Sequence, residues 1–510
     1  QKFSENLLDA TNAYELIIED EKRLAGIPEE TLALYRASAE AAGKKGFRLT
    51  LQYPSYLPAM KYCADRGIRE ALYRAFSTRA SEFDGGKFDN TPLIKRILEL
   101  RAEEASLLGF KNYGELSLAT KMAKSPAEVL DFLRDVARRS KPRAEDDVAQ
   151  VDAYARDELG IDKIEPWDRA YAAEKLREAR YSYSDAEVKR YFTQRAVFKG
   201  LFGLVEKLFG IEIEEAQASV WHPDVKYFEV KRNGEKIAAF YADLYAREGK
   251  RSGAWMDGER TRRIEDGKLI TPIAYLVTNF AAPQAGREAT MTHDEVTTLF
   301  HEFGHALHGL LSQCTYNKVS GTSVPRDFVE LPSQIMENWA ADPEVLKVYA
   351  RHYKTGEPIP QELIDKLENS GHFNQGFVTT EFMAAALLDM AYHTRNTTDP
   401  VNPNEFEKAT LEKIGLIPEI TVRYRSPYFQ HIFAGGYSSG YYAYTWAEVL
   451  DADAFEAFKE TGNIFNPEKA KAFRENILSK GGSEDAMTLY QKFRGQEPSI
   501  DPLLKRKGLK

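Results

Sequence analysis

Apolar residues recur along most of this chain three and four positions apart, the period of helices with one buried face. Helix start signals accompany them. In NTPLIKRILELRAEEASLLG, Thr91 stands as a cap, Pro92 takes the first helical position and Gly109 ends the segment. SPAEVLDFLRDVARRS offers Ser125 and Glu128 as a capping box, and NPEKAKAFRENIL repeats the device with Asn466 and Pro467. One region breaks the rhythm. In KYFEVKRNGEKIAAFYADLYARE two β-rich runs flank Asn233-Gly234, a pair that accepts positive φ at both turn positions and so predicts a hairpin. TPIAYLVTNFAA (271–282) supplies a further strand. The pattern predicts a mainly α protein with a small antiparallel β-sheet before residue 291 and helices again after it. No Gly/Ser linker and no fixed-period repeat interrupts it.

MTHDEVTTLFHEFGHALHGLL opens on its own start signal, with Thr292 and Glu295 as a capping box and Met291 and Val296 as a staple. Val296, Leu299, Phe300, Phe303, Ala306, Leu307 and Leu310 give this helix a wide apolar surface, so it is expected to be buried. His301 and His305 lie one turn apart and can aim both imidazoles at one ion, as H-E-x-x-H zinc sites require. Glu302 follows about 100° round the axis, placed to reach a water at the ion without being a ligand. Catalytic zinc usually takes three protein ligands. Downstream, in SGTSVPRDFVELPSQIMENWAAD, Asp327, Glu330 and Glu337 compete for that place on chemistry alone. Four of the nine histidines (His293, His301, His305 and His308) fall on this one helix. Packing gives no reason to bury several imidazoles there, because unpartnered polar groups cost free energy. His308 sits two turns above His301, too far along to join the same ion, and fits helix packing or substrate contact instead.

Composition narrows the class further. The 510 residues are 43% hydrophobic and 29% charged, as in an ordinary soluble globular protein. A net charge of −9 without long basic runs argues against nucleic acid as a partner. No apolar run approaches the ~20 residues that cross a bilayer, so no membrane partner is expected. Cys63 and Cys314, far apart, exclude a disulfide framework and favour a reducing compartment. A cytoplasmic location is expected. Periplasmic or exported locations stay open, because a chain starting QKFSENLL without Met reads as a processed product.

FHEFGHALHG followed by GTSVPRDFVELPSQIMENW, then HIFAGGYSSGYYAYTW and ILSKGGSEDAMTLYQKFRGQEPSIDPLLKRKGL, resembles the thimet oligopeptidase (M3) family of zinc metallopeptidases over nearly the whole chain. Its bacterial branch, with peptidyl-dipeptidase Dcp and oligopeptidase A, is nearest. PRDFVELPSQ, YARHYKTGEP and RYRSPYFQHIFAGGY read more like Dcp. The resemblance implies a two-lobed helical metallopeptidase with a deep substrate channel. It implies one Zn2+ per chain, held by His301, His305 and the Glu330 of the FVE motif, with Glu302 as general base. Tyr437 and Tyr444 match tyrosines that bind substrate and stabilise the oxyanion, and His431 matches a nearby family histidine. Tyr441, Tyr442 and Gly436 are further candidates for substrate contact in the same Gly-rich segment.

Arg423 and Arg425 are candidates to grip a substrate's C-terminal carboxylate, which guanidinium binds bidentately. The strand at 271–280 is a candidate to align a peptide by β-addition. Residues 1–510 read as a single M3-type catalytic region, with a mainly helical lobe over 1–160 and a zinc-bearing lobe with C-terminal helices over 161–510. Family members carry a further N-terminal helical stretch, which leaves a separate chain supplying it as a conceivable partner. The expected function is hydrolysis of peptide bonds in short peptides, with release of C-terminal dipeptides favoured over an endo-acting oligopeptidase. A non-catalytic helical peptide-binding protein with a structural metal is the alternative of another class.

Overall fold

The computed structural model describes all residues except 285, 397 and 398. Helices dominate it. Those that matter first are α1 (Tyr53–Tyr62), α2 (Thr91–Leu107) and the 34-residue α3 (Pro126–Leu159). α2 is capped at Asn90, one residue before the expected Thr91, and the Asn90 side chain is drawn inward to hold the carbonyls of Phe3 and Pro427. At the start of α3, Ser125 accepts from the Glu128 N–H, but the Glu128 carboxylate reaches back to the N–H of Lys124, so only half of the box forms. Asn466 caps its helix as expected, accepting from the N–H groups of Glu468 and Lys469.

The sheet contains β1 (Glu212–Ala216), β2 (Lys226–Arg232), β3 (Glu235–Tyr245), β4 (Trp255–Arg260) and β5 (Ile273–Phe280) in the spatial order β1-β2-β3-β5-β4. Asn233 and Gly234, at φ 51° and 79°, close the β2–β3 hairpin. The expectation of an antiparallel sheet fails at one pair. After β3 the chain turns away through β4 and a small exposed ribbon (263–270), and β5 then returns parallel to β3, so the sheet is mixed.

The sheet packs on α4 (His293–Leu310), with Phe303 against Phe240 of β3 at 5.5 Å between ring centroids. All seven apolar positions read from the sequence of α4 are buried in this core, which also takes in α5 (Leu331–Ala341). A second core joins Leu98 and Leu133 to Leu388, Phe429 and Tyr442, because α3 lies along α6 (Gln375–His393). This second core therefore draws on residues both before and after position 160. A cavity of about 950 Å³ runs between α1 on one side and β4 with α4 on the other. Among the described residues no helix is long and apolar enough to cross a membrane.

Candidate metal and active site

α4 begins with a complete capping box: Thr292 Oγ1 accepts from the Glu295 N–H at 3.1 Å and Glu295 accepts from the Thr292 N–H at 2.9 Å. That start sets the register which places His301 one turn from His305, their rings edge to face with centroids 5.0 Å apart. α5 crosses α4 at Gly304 with almost no separation. A Cβ there would lie 2.2 Å from the Pro332 carbonyl oxygen and 2.6 Å from Ser333 Cα. Only glycine permits this approach, and it delivers Glu330, the residue just before α5, onto the histidine pair. Glu330 Oε2 lies 3.2 Å from His301 Nε2 and 3.0 Å from His305 Nε2.

Ligands about 2.1 Å from a tetrahedral ion sit roughly 3.4 Å from one another. The three donors, all within 4.8 Å of each other, need little adjustment to share one ion. Two imidazoles and a carboxylate suit zinc and similar divalent metals. The rival carboxylates are engaged elsewhere. Asp327 is fully buried and accepts from the N–H groups of Met122 and Ala123 and from the Tyr442 hydroxyl. Glu337 stands behind His301 and accepts from its Nδ1 at 2.6 Å, which turns Nε2 toward Glu330. A carboxylate in that position orients a metal-binding imidazole and raises its basicity.

The charges answer one another. Burial opposes ionisation of His301, yet Glu330 and Glu337 hold its pKa well above the ordinary imidazole value. Burial likewise opposes the Glu330 anion, and the two histidines hold it well below the usual carboxylate range. A divalent cation would take the place of that proton. Glu302 lines the cavity at 5% exposure, and one of its carboxylate oxygens has no hydrogen-bond partner among the described residues. Burial raises its pKa. An orphaned buried oxygen is costly, and a water beside the ligand triad would satisfy it.

Across the cavity stand Tyr437, Tyr444 and His431. The Tyr437 ring stacks on Tyr444 at 4.9 Å and its hydroxyl donates to Glu330 Oε1. Burial pushes both phenols up, so both remain donors. Burial and the nearby Arg423 push His431 down to about 4, and its Nδ1 lacks a partner among the described residues. Gly436 lines the cavity too, where a Cβ would crowd the Arg326 guanidinium at 2.7 Å.

Several sequence candidates fall elsewhere. Tyr441 and Tyr442 are buried away from the cavity, Tyr441 stacked on Phe382 and Tyr442 bonded to Asp327; positions 437 and 444 face the cavity while 441 and 442 face the core. Arg425 is tied to the buried Glu407 at 3.0 Å and does not reach the cavity. Arg423 does line it, 3.5 Å from Glu381. β5 is paired on both sides and offers no edge for a peptide; the outer strand β4 lines the cavity instead. His308 is a packing residue, fully buried with neither ring nitrogen partnered among the described residues, and burial drives its pKa down to about 3.

Sequence reasoning missed Glu337 as the partner of His301, although its place seven residues after Glu330 puts it two turns along the same helix face. It also missed Tyr53 of α1, Arg251 and Arg326 on the cavity wall, for which no local signal exists.

The sequence profile of Peptidase family M3 matches residues 59–509. Oligopeptidase A of Escherichia coli (strain K12) is 47% identical over 516 residues, covering 100% of this chain and 76% of its own. Dipeptidyl carboxypeptidase of the same organism is 40% identical over 519 residues, covering 100% and 75%. The solved structure of PZ peptidase A with inhibitor 2 shares the fold, with a TM-score of 0.56 at 17% identity over 99% of this chain and 74% of that one. With a profile match over most of its length and relatives at this level of identity along all of it, the chain belongs to peptidase family M3 and is a metallopeptidase.

Proposed function

We propose that this protein is a zinc-dependent oligopeptidase that cleaves internal bonds of short peptides lying in the channel. The observation that carries the reading is the convergence of His301, His305 and Glu330 beside the unpartnered oxygen of Glu302. Zinc held by the three would supply Lewis acidity toward the scissile carbonyl and acidify a water beside it. Glu302 takes the proton of the attacking water and passes it to the leaving nitrogen. Tyr437 and Tyr444 are the hydroxyl donors placed to meet the oxyanion. Neutral His431 offers substrate a further hydrogen bond. The free edge of β4 pairs with the peptide backbone and holds it extended.

Endo-cleavage is preferred here over the dipeptide release favoured by the sequence alone. The oligopeptidase A relative is the more similar of the two, and Arg425 is occupied by Glu407. Arg423, exposed to the cavity, keeps dipeptide release as the second reading. Mass spectrometry of products from matched peptides with free and amidated C-termini separates them. Cleavage at the same internal bonds, at rates within about threefold, is expected; failure to cleave the amidated peptides would favour dipeptide release.

Zinc binding should be proton-linked. Because Glu330 and Glu337 keep metal-free His301 protonated above its ordinary range, entry of zinc at neutral pH expels about one proton. Affinity then falls as pH falls. Calorimetry in buffers of different ionisation enthalpy measures this, and binding without proton release would contradict the assigned ligands.

A further inference from the structure

We infer that Asp389 is a positioning residue for the Tyr437–Tyr444 pair, held in place from behind by His393 and Arg101. The inference rests on the role proposed above for the two tyrosines. Asp389 lies near the end of α6, fully buried. Its carboxylate accepts three consecutive backbone N–H groups, from Ser439 at 2.8 Å and from Gly440 and Tyr441 at 2.9 Å each. The same Oδ1 that takes Ser439 also faces His393 Nδ1 at 2.8 Å, and His393 Nε2 faces Arg101 Nη1 of α2 at 2.8 Å. The roles are mutually consistent: Arg101 donates to Nε2, Nδ1–H donates to Asp389, and Asp389 only accepts.

The turn so gripped is the one between the two tyrosines. Ser439 sits in it at φ 49°, a left-handed conformation that a serine adopts only when its surroundings impose it. The opposite side is gripped from the N-terminal helices, where the Ser117 hydroxyl donates to the Ser438 carbonyl at 2.7 Å and Lys121 Cε would lie 3.3 Å from a Cβ on Gly440. Tyr437 is two residues before Ser439, and its hydroxyl reaches Glu330. Because the rings of Tyr437 and Tyr444 are stacked, a small displacement of the turn moves both donors. A carboxylate is required for this. Asparagine would keep one acceptor oxygen and point an NH2 group at N–H donors.

The test is Asp389→Asn, with zinc content and thermal unfolding recorded alongside kinetics. Expected is a kcat loss of about 30-fold or more with KM within about threefold and a full equivalent of zinc, because misplaced donors weaken the transition state and not the ground state. Tyr444→Phe, expected to cost about 100-fold alone, should cost less than about threefold in the Asp389→Asn background. A merely structural role would not produce that non-additivity. If Asp389→Asn does not fold, Arg101→Gln at the far end of the chain is expected to give the same kcat pattern at about fivefold. Unchanged kcat in Tyr437→Phe and Tyr444→Phe would remove the tyrosine role itself. Losses in those two with a normal Asp389→Asn or Arg101→Gln enzyme, or losses that multiply, would overturn the positioning inference alone.

Discussion

Glu302→Gln is expected to keep its metal and its fold while losing turnover by roughly 10²–10⁴-fold. The amide has the shape of the carboxylate but cannot accept a proton. Nothing in the ligand triad changes, since His301, His305 and Glu330 make their contacts without Glu302. A second consequence separates this from generic damage. Burial raises the Glu302 pKa, so in the metal-free fold its ionisation costs stability. A group whose folded pKa lies above the unfolded one binds its proton more tightly when folded, and its contribution falls as pH rises through that range. Metal-free Glu302→Gln should therefore unfold at the same temperature as the parent in acid and at a higher one near pH 8. Elemental analysis, steady-state kinetics and thermal melts at two pH values check all three points. Retention of more than about a tenth of the parent activity would refute Glu302 as the base.

Gly304→Ala should damage the site without touching a ligand. Its Cβ would lie 2.2 Å from the Pro332 carbonyl oxygen, where real Cβ atoms essentially never come under 3.0 Å. The obstruction is backbone, so no side chain can swing aside, and α5 must retreat by roughly 1 Å. Glu330 immediately precedes α5 and moves with it. Overpacking of this kind costs about 1–3 kcal/mol, offset by up to about 1 kcal/mol from the better helix propensity of alanine. Stability of the metal-free protein should fall modestly. Zinc affinity should fall about 10–100-fold, the scale seen when the support of a ligand is disturbed. Chelator competition measures the affinity, and an unchanged value would show that the close crossing of the two helices does not place Glu330.

The tyrosine segment shows where reading along the chain loses its grip. HIFAGGYSSGYYAY presents four tyrosines of equal chemical merit. Two face the cavity and two the core, because a turn held by Asp389 and the start of the next helix set the direction of each ring. Asp389 lies about 50 residues earlier, and no spacing along the chain links it to that turn. The arginines of VRYRSPYF divide in the same way: Glu407 takes one and the cavity receives the other. Glu128 and Asn90 show that even local caps bend when a neighbouring donor or a buried carbonyl makes a better offer.

The sequence alone determined what is decided within about one helical turn: the Thr292–Glu295 box, the Asn233-Gly234 hairpin, and two imidazoles on one face of a buried helix. Those features follow from backbone periodicity and short-range hydrogen bonds, which any reader of the chain can reconstruct. The FVE motif singled out Glu330 only by resemblance; tertiary structure brought it, and neither Asp327 nor Glu337, to Nε2 of both histidines, and it alone decided that Glu337 orients His301 and that β5 runs parallel to β3. Asp327, Glu330 and Glu337 carry the same functional group. What distinguishes them is distance across a helix crossing, and that distance exists only after Gly304 has let α4 and α5 meet.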